Sequence, residues 1–302
     1  MLYRSVPTNK KVAKVGLSYQ LKPLVAVGRL ANGIKKLNRL PGIYLRTAPT
    51  LLLVTYLYSL TGFLFKLDAE TVLKMAITIK NSTIDFLKKL SKNNNREWFN
   101  KNKSLYLAVH ENVLAFVDAL LSEMRRHDLI ETQRAQDSLF RIYRDIRFSK
   151  DKSPYKTYWA GHFKRATKKL RGGYYFQIGP GETMAAGGFF NPDPKDLLRI
   201  RKDIDMNFND WKKMLADKKI ATSFGELKGE KVTTSPKGFS KDNPAIELLK
   251  HKQFYFSRSF TDKEVMANEF LKEMNQTFRN LRSYFDYMSE VLTTDANGVP
   301  LI

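Results

Sequence analysis

The sequence predicts a single α+β domain over residues 75–295, with a central, mainly antiparallel sheet flanked by N-terminal and C-terminal helices. Three observations predict it. Apolar residues recur at helical spacing near both ends, from Leu105 to Met124 and from Ala267 to Leu292. Between those ends, period-two alternation marks strands at 140–148 and 174–178, with 184–190 read as the returning strand of a hairpin and 254–260 as a last strand. Neither an internal repeat nor a linker interrupts the span.

Taken in order, Ser82 and Thr83 offer a cap for a short helix with the apolar face Ile84, Leu87 and Leu90. The polar run Ser91–Asn95 ends it. A longer helix is expected over about 96–126, its core face formed by Leu105, Val109, Val113, Phe116, Leu120 and Met124. In the strand 140–148, one face carries Phe140, Ile142, Arg144, Ile146 and Phe148, and the other Arg141, Tyr143, Asp145 and Arg147. Arg144 therefore sits among apolar neighbours, where an unpaired guanidinium is very costly and needs a carboxylate or an anion.

Gly179-Pro180-Gly181 turns the chain between two strands of a hairpin. Asp193 caps a helix that Pro194 opens and that carries Leu197, Leu198 and Ile204. Trp211 and Leu215 suggest a further helix, residues 219–243 read as loop, and Pro244 starts a short helix through Leu249. After the strand 254–260, Thr261 and Glu264 form a capping-box pattern. One long helix over about 262–292 follows, packing across the sheet or pairing with a second copy.

The chain has 302 residues, 43% hydrophobic and 12% aromatic, enough for a sizeable core and against global disorder. It has no cysteine, which removes disulfides, thiolate metal sites and cysteine nucleophiles, and fits a cytoplasmic setting. The four histidines share no metal-binding spacing, and no metal site is expected. There is no Walker A sequence, no G-x-G-x-x-G and no G-x-S-x-G, so no cofactor is expected.

The net charge is +22, and it is unevenly spread. Residues 1–74 hold 12 Lys+Arg and 2 Asp+Glu, and residues 75–302 hold 40 and 28. Residues 1–74 read as an extension ahead of a natural start at Met75, produced by a start codon placed too early. The alternative is a membrane anchor through the uncharged stretch 47–65, nineteen residues that could just span a bilayer with a basic flank before them.

The segment RIYRDIRFSKDKSPYK, Arg141–Lys156, is the most unusual in the chain. Residues 141–171 hold eleven Lys+Arg against two Asp. Guanidinium binds carboxylate and phosphate through paired hydrogen bonds. Arg96, Arg141, Arg144, Arg147, Lys150, Asp151, Lys152, Tyr155 and Lys156 are thus candidate residues for a phosphate-bearing ligand or nucleic acid. The same segment also admits an enzyme acting on an anionic small molecule, with Glu97, Asp145 or His162 as acid or base. A third reading is a structural network in which Arg144 pairs with Asp145 or Glu97. Trp98 and Phe99 are expected in the core, and Arg96 and Glu97 could reach the basic segment.

Three strings, FLKKLSKNNNREWFNKNKSLY (86–106), RIYRDIRFSKDKSPYKT (141–157) and GGYYFQIGPGETMAAGGFFNPDP (172–194), resemble the domain-of-unknown-function 2461 family of conserved hypothetical bacterial proteins. The resemblance extends through SPKGFSKDNPAIELLKHKQF (235–254) and covers about 80–285, leaving residues 1–74 outside. It implies no activity and no catalytic residue. It implies only that Arg96, Glu97, Trp98, Arg144, Asp145, Arg147, Asp151, Lys152, Tyr155 and Lys156 fall in the family's signature motifs.

Overall fold

The first helix, α1 (Asn81–Lys92), buries Ile84, Leu87 and Leu90, the three residues of its expected apolar face. Its cap differs from expectation. Lys80 is the N-cap, and the Thr83 hydroxyl, turned inward, donates to Asn112 Oδ1 at 2.8 Å. That oxygen also accepts the Lys80 amide at 3.0 Å, so Asn112 caps α1 from a neighbouring helix. Residues 77–295 and 298–301 are described by this computed structural model, and all lie in the unit Asp68–Ile302. The alternatives for residues 1–74 fall outside them.

The helix expected over 96–126 is two helices, α2 (Arg96–Lys101) and α3 (Lys103–Met124), broken at Asn102. Asn95 caps α2 by accepting the Trp98 amide at 2.9 Å. Val109, Val113, Phe116, Leu120 and Met124 are buried, whereas Leu105, near the break, is exposed. Among the described residues α3 alone is long and apolar enough to cross a membrane, and these side chains place it in the core.

A short α4 (Ala135–Ser138) precedes the basic segment, which is not a strand of the sheet. The backbone at 140–148 bonds to its own continuation, Arg144 N to Pro154 O at 2.9 Å and Lys156 N to Ile142 O at 2.7 Å. A narrow ribbon results, joined to the sheet through Phe140 N and Ala160 O at 2.8 Å. Alternation survives where the ribbon is paired, so Ile142 is buried and Tyr143 is exposed. It fails at the tip, where Phe148 is 95% exposed.

The sheet is a four-stranded antiparallel meander, β1 (Trp159–Lys164), β2 (Gly173–Ile178), β3 (Thr183–Phe189) and β4 (Phe254–Phe260), in the order β1-β2-β3-β4. The strand β1 breaks the expected pattern because glycine occupies a core position. A Cβ on Gly161 would lie 2.6 Å from both the Phe176 ring and the Ser138 carbonyl. Alternation places Phe163, Tyr174, Phe176 and Phe256 on one face, and His162, Tyr175, Ala186 and Ser257 on the other.

The helices cover the first face. They include α5 (Pro194–Met206), capped by Asp193 with Pro194 at its first turn, and α6 (Phe208–Leu215) with Trp211 buried. In α5, Ile200 and Ile204 are buried and Leu198 is exposed. Part of the expected loop 219–243 is helical, as α7 (Lys218–Phe224), whose first amides Asp217 caps. A short α8 (Ile246–Leu249) leads into β4.

The long C-terminal helix is instead three, α9 (Asp262–Val265), α10 (Phe270–Arg279) and α11 (Arg282–Thr293). Thr261 and Glu264 form the expected capping box at α9. The breaks let Phe270 stack on Phe116 at 5.2 Å while α10 and α11 keep one buried stripe. Met274, Phe278, Phe285 and Met288 are fully buried within the chain, so this stripe packs across the sheet. Among the described residues every ring contact between a helix and the sheet, such as Phe278 on Tyr174 at 5.2 Å and Tyr284 on Phe256 at 5.1 Å, uses the same face.

Candidate functional site

The ribbon's tip is held by side chains that bond to its own backbone. Lys152 Nζ donates to Ile146 O at 2.9 Å, and Lys156 Nζ to Arg141 O at 2.8 Å. Arg147 closes a forked pair on Asp145, with Nη2 to Oδ2 at 2.6 Å and Nε to Oδ1 at 3.0 Å. Asp151 accepts the Ser153 amide at 2.9 Å and its hydroxyl at 2.5 Å, and it also pairs with Arg144. These bonds, Ser153 first and Arg144 after it, pull the Asp151 carboxyl down to about 2, so it stays ionised at neutral pH.

Arg144 is thus neither buried among apolar groups nor paired with Glu97 or Asp145. Its side chain is 27% exposed and is turned outward by Asp151, the Ser153 carbonyl at 3.3 Å and Ser149 Oγ at 3.4 Å. It lines a cleft of about 320 Å³ with Ile146, Pro154 and the two tyrosines Tyr143 and Tyr155. The opposite wall is α2, which contributes Arg96 and Asn100. Asn94 ties that wall to the ribbon, its Nδ2 donating to Tyr155 O at 2.9 Å and its Oδ1 accepting Tyr155 N at 3.1 Å. Phe99, buried as expected, stacks on Tyr155 at 4.1 Å, and Trp98 packs on Phe86 at 5.9 Å. Burial raises the Tyr155 hydroxyl above its usual range, so it is a hydrogen-bond donor at neutral pH.

The cleft joins two regions far apart in sequence and sets two guanidinium groups, two phenols and an amide around one space. Arg96 makes no ion pair among the described residues, so the net positive charge of the cleft is its own. Arg141 and Lys150 are also exposed without an acidic partner there.

Residues 82–287 match the family described as conserved hypothetical protein, domain of unknown function 2461 (DUF2461). The chain belongs to this family. No curated protein and no solved structure matches the chain.

The three acid–base candidates do not converge in this DUF2461 domain. Glu97 is exposed and makes no ion pair among the described residues. Asp145 is held by Arg147. His162 lies on the sheet's second face, stacked on Phe140 at 5.4 Å. None of the three lines the cleft. No group of three or more His, Asp or Glu that could hold a metal ion exists among the described residues.

The domain does contain a buried Arg–carboxylate network, centred on Arg165 rather than Arg144. Arg165 Nε donates to Asp128 Oδ2 at 2.7 Å, and its remaining nitrogens reach Asp286 at 3.1 Å, Ser289 Oγ at 3.2 Å and the Arg171 carbonyl at 2.9 Å. Tyr174 donates to Asp128 at 2.7 Å, and Arg282 pairs with both Asp128 and Asp286. Burial, with Asp128 beside it, pushes the Tyr174 hydroxyl far above its usual range. In the sequence Arg165 lies in a basic run and resembles a solvated charge. The signal that finds it is the register of β1, which continues Trp159, Gly161, Phe163 to the core side at 165.

Proposed function

We propose that this domain is a binding module for phosphate-bearing ligands, and that the ligand's phosphate enters the cleft between Arg96 and Arg144. The observation that carries the reading is Arg96, an arginine with no acidic partner among the described residues, lining the same cleft as a second guanidinium that is already oriented. Asp151 and the Ser153 carbonyl hold Arg144 in place before a ligand arrives, which lowers the ordering cost of binding. Tyr143, Tyr155 and Asn100 add neutral donors suited to phosphate oxygens. The volume sits at the small end of ligand pockets, which span roughly 300–1,000 Å³. It suits one phosphorylated group rather than a whole cofactor. The cysteine-free composition supports a cytoplasmic setting.

Calorimetric titration of the full chain with inorganic pyrophosphate tests the reading. Binding that weakens with salt and is lost in Arg96→Ala is expected. Absence of binding at low salt, or binding that Arg96→Ala and Arg144→Ala leave unchanged, rules the cleft out.

A further inference from the structure

The sheet's second face carries no ring contact from any described helix. Its floor is small and buried, with Ala186 of β3 1% and Ser257 of β4 6% exposed, so what this face offers to solvent is its rings and lysines. Aromatic rings stand over this floor at both edges. On the β1 side Phe140, 41% exposed, stacks on His162. On the β4 side Phe190, 38% exposed, stacks on Tyr255 at 4.6 Å. Tyr175 of β2 stands between them, across from His162 on one side and Ala186 on the other, and meets the Phe190 ring at 6.4 Å. Three strand spacings of about 4.8 Å and a two-residue offset along the strands put the two stacked pairs roughly 16 Å apart.

Cations fringe the same face. Lys156 Nζ stands 5.5 Å over the Phe140 ring, and Lys228 Nζ reaches Ser257 Oγ at 2.8 Å. Acidic groups are few: Glu131 pairs with Lys164, and Glu182 bonds Gln177 at the turn end. Lys156 also bonds the Arg141 carbonyl, so the β1 edge of the face runs directly into the basic ribbon. At the ribbon's tip Phe148 projects into solvent with the Arg147 guanidinium 5.8 Å from its ring.

We propose that the exposed aromatic edges of this face bind single-stranded nucleic acid. Bases stack on the Phe140–His162 and Phe190–Tyr255 pairs, and the backbone runs along Lys156 and Arg141 toward the cleft. Exposed aromatic rings on one face of a four-stranded antiparallel sheet stack two or three unpaired bases in this way. Aromatic rings standing on a floor of small and polar side chains, edged with lysine, suit flat anionic polymers. An apolar protein partner calls for a continuous apolar patch instead. The proposal takes its phosphate arm from the reading of the cleft, and its stacking arm stands on the sheet alone.

Fluorescence anisotropy of labelled oligothymidylate and oligouridylate of about twelve nucleotides, against a duplex of the same length, tests this on the full chain. Single strands are expected to bind more tightly than duplex, with a steep salt dependence. Phe140→Leu and Phe190→Leu, which keep apolar bulk but remove the ring, are each expected to loosen single strands about tenfold while duplex binding is unchanged. Thermal melts of these variants matching the parent protein show that the loss is one of contact. Single strands bound no better than duplex, or ring variants that bind like the parent, overturn the proposal. Arg96→Ala reports on the cleft separately. Loss of pyrophosphate binding with the ring effects absent sinks only the stacking face, and the converse sinks only the cleft.

Discussion

Arg165 and Asp128 share a bond in the interior: Nε donates to Oδ2 at 2.7 Å, and neither side chain is exposed to solvent. Around it Tyr174, Arg282, Asp286 and Ser289 satisfy the remaining polar atoms of the pair. The network ties the C-terminal end of β1 to β2 and to α11, and so holds the sheet against its helical layer.

Arg165→Ala is therefore expected to destabilise the domain by about 3–5 kcal/mol, since it leaves buried carboxylate without its main partner. Arg144→Ala is expected to cost no more than about 1 kcal/mol, because Arg144 and Asp151 meet in a solvent-exposed ribbon. Urea denaturation of the two variants checks the contrast. Equal losses would mean that the ribbon arginine is structural after all.

The ribbon has its own pH signature. Folding depresses the Asp151 carboxyl to about 2 from an ordinary value near 4. A depressed carboxylate contributes stability above its unfolded pKa and loses it as pH falls toward the folded one. The contribution of Asp151 to the ribbon is therefore intact from neutral pH down to about 4 and lost between about 4 and 2. Ser153→Ala removes the hydroxyl bond and is expected to raise the Asp151 midpoint, read by NMR titration of its side-chain carbon. An unmoved midpoint would show that Ser153 is not the dominant cause.

Much of this fold was legible because burial follows simple periods. The strand 254–260, the Asp193–Pro194 helix start and the Thr261–Glu264 capping box lie where spacing and capping chemistry predict. The misses share a cause, which is tertiary contact overriding local pattern. Gly161 hides β1 because Phe176 fills the space of its missing side chain. The C-terminal stripe reads as one helix because α10 and α11 keep a single buried face across their break. The basic segment looks like a sheet strand because its alternation is real, yet its hydrogen bonds close on itself. In the cleft, the ribbon half was legible from its charge, whereas the joining of Arg96 to Arg144 depends on Asn94 bonding to Tyr155, which no spacing reveals.

Gly188 is a sharper test of the sheet's geometry. Its φ is +145°, and a Cβ there would lie 2.3 Å from the Phe254 carbonyl oxygen. Backbone in this region is essentially restricted to glycine. Gly188→Ala is expected to cost at least about 1–3 kcal/mol from the backbone alone and to disturb the β3–β4 pairing. Thermal melting measures the cost, and faster amide exchange at Phe254 and Tyr255 locates it. A variant as stable as the parent would contradict the described close approach of the two strands.

Arg96 separates charge from geometry. It is exposed and makes no ion pair among the described residues, so Arg96→Ala is expected to change stability only within the small range of surface substitutions, about ±0.5 kcal/mol. Arg96→Lys keeps the positive charge and loses the fork that grips two phosphate oxygens at once. If the cleft binds phosphate by paired hydrogen bonds, pyrophosphate affinity should fall about tenfold in Arg96→Ala and substantially in Arg96→Lys. If it binds by charge alone, Arg96→Lys should match the parent. For a longer polyanion, removing this one contact should lower the slope of log affinity against log salt by about one unit. A slope that stays constant while affinity falls would place Arg96 outside the phosphate contacts and leave it acting through the shape of the α2 wall.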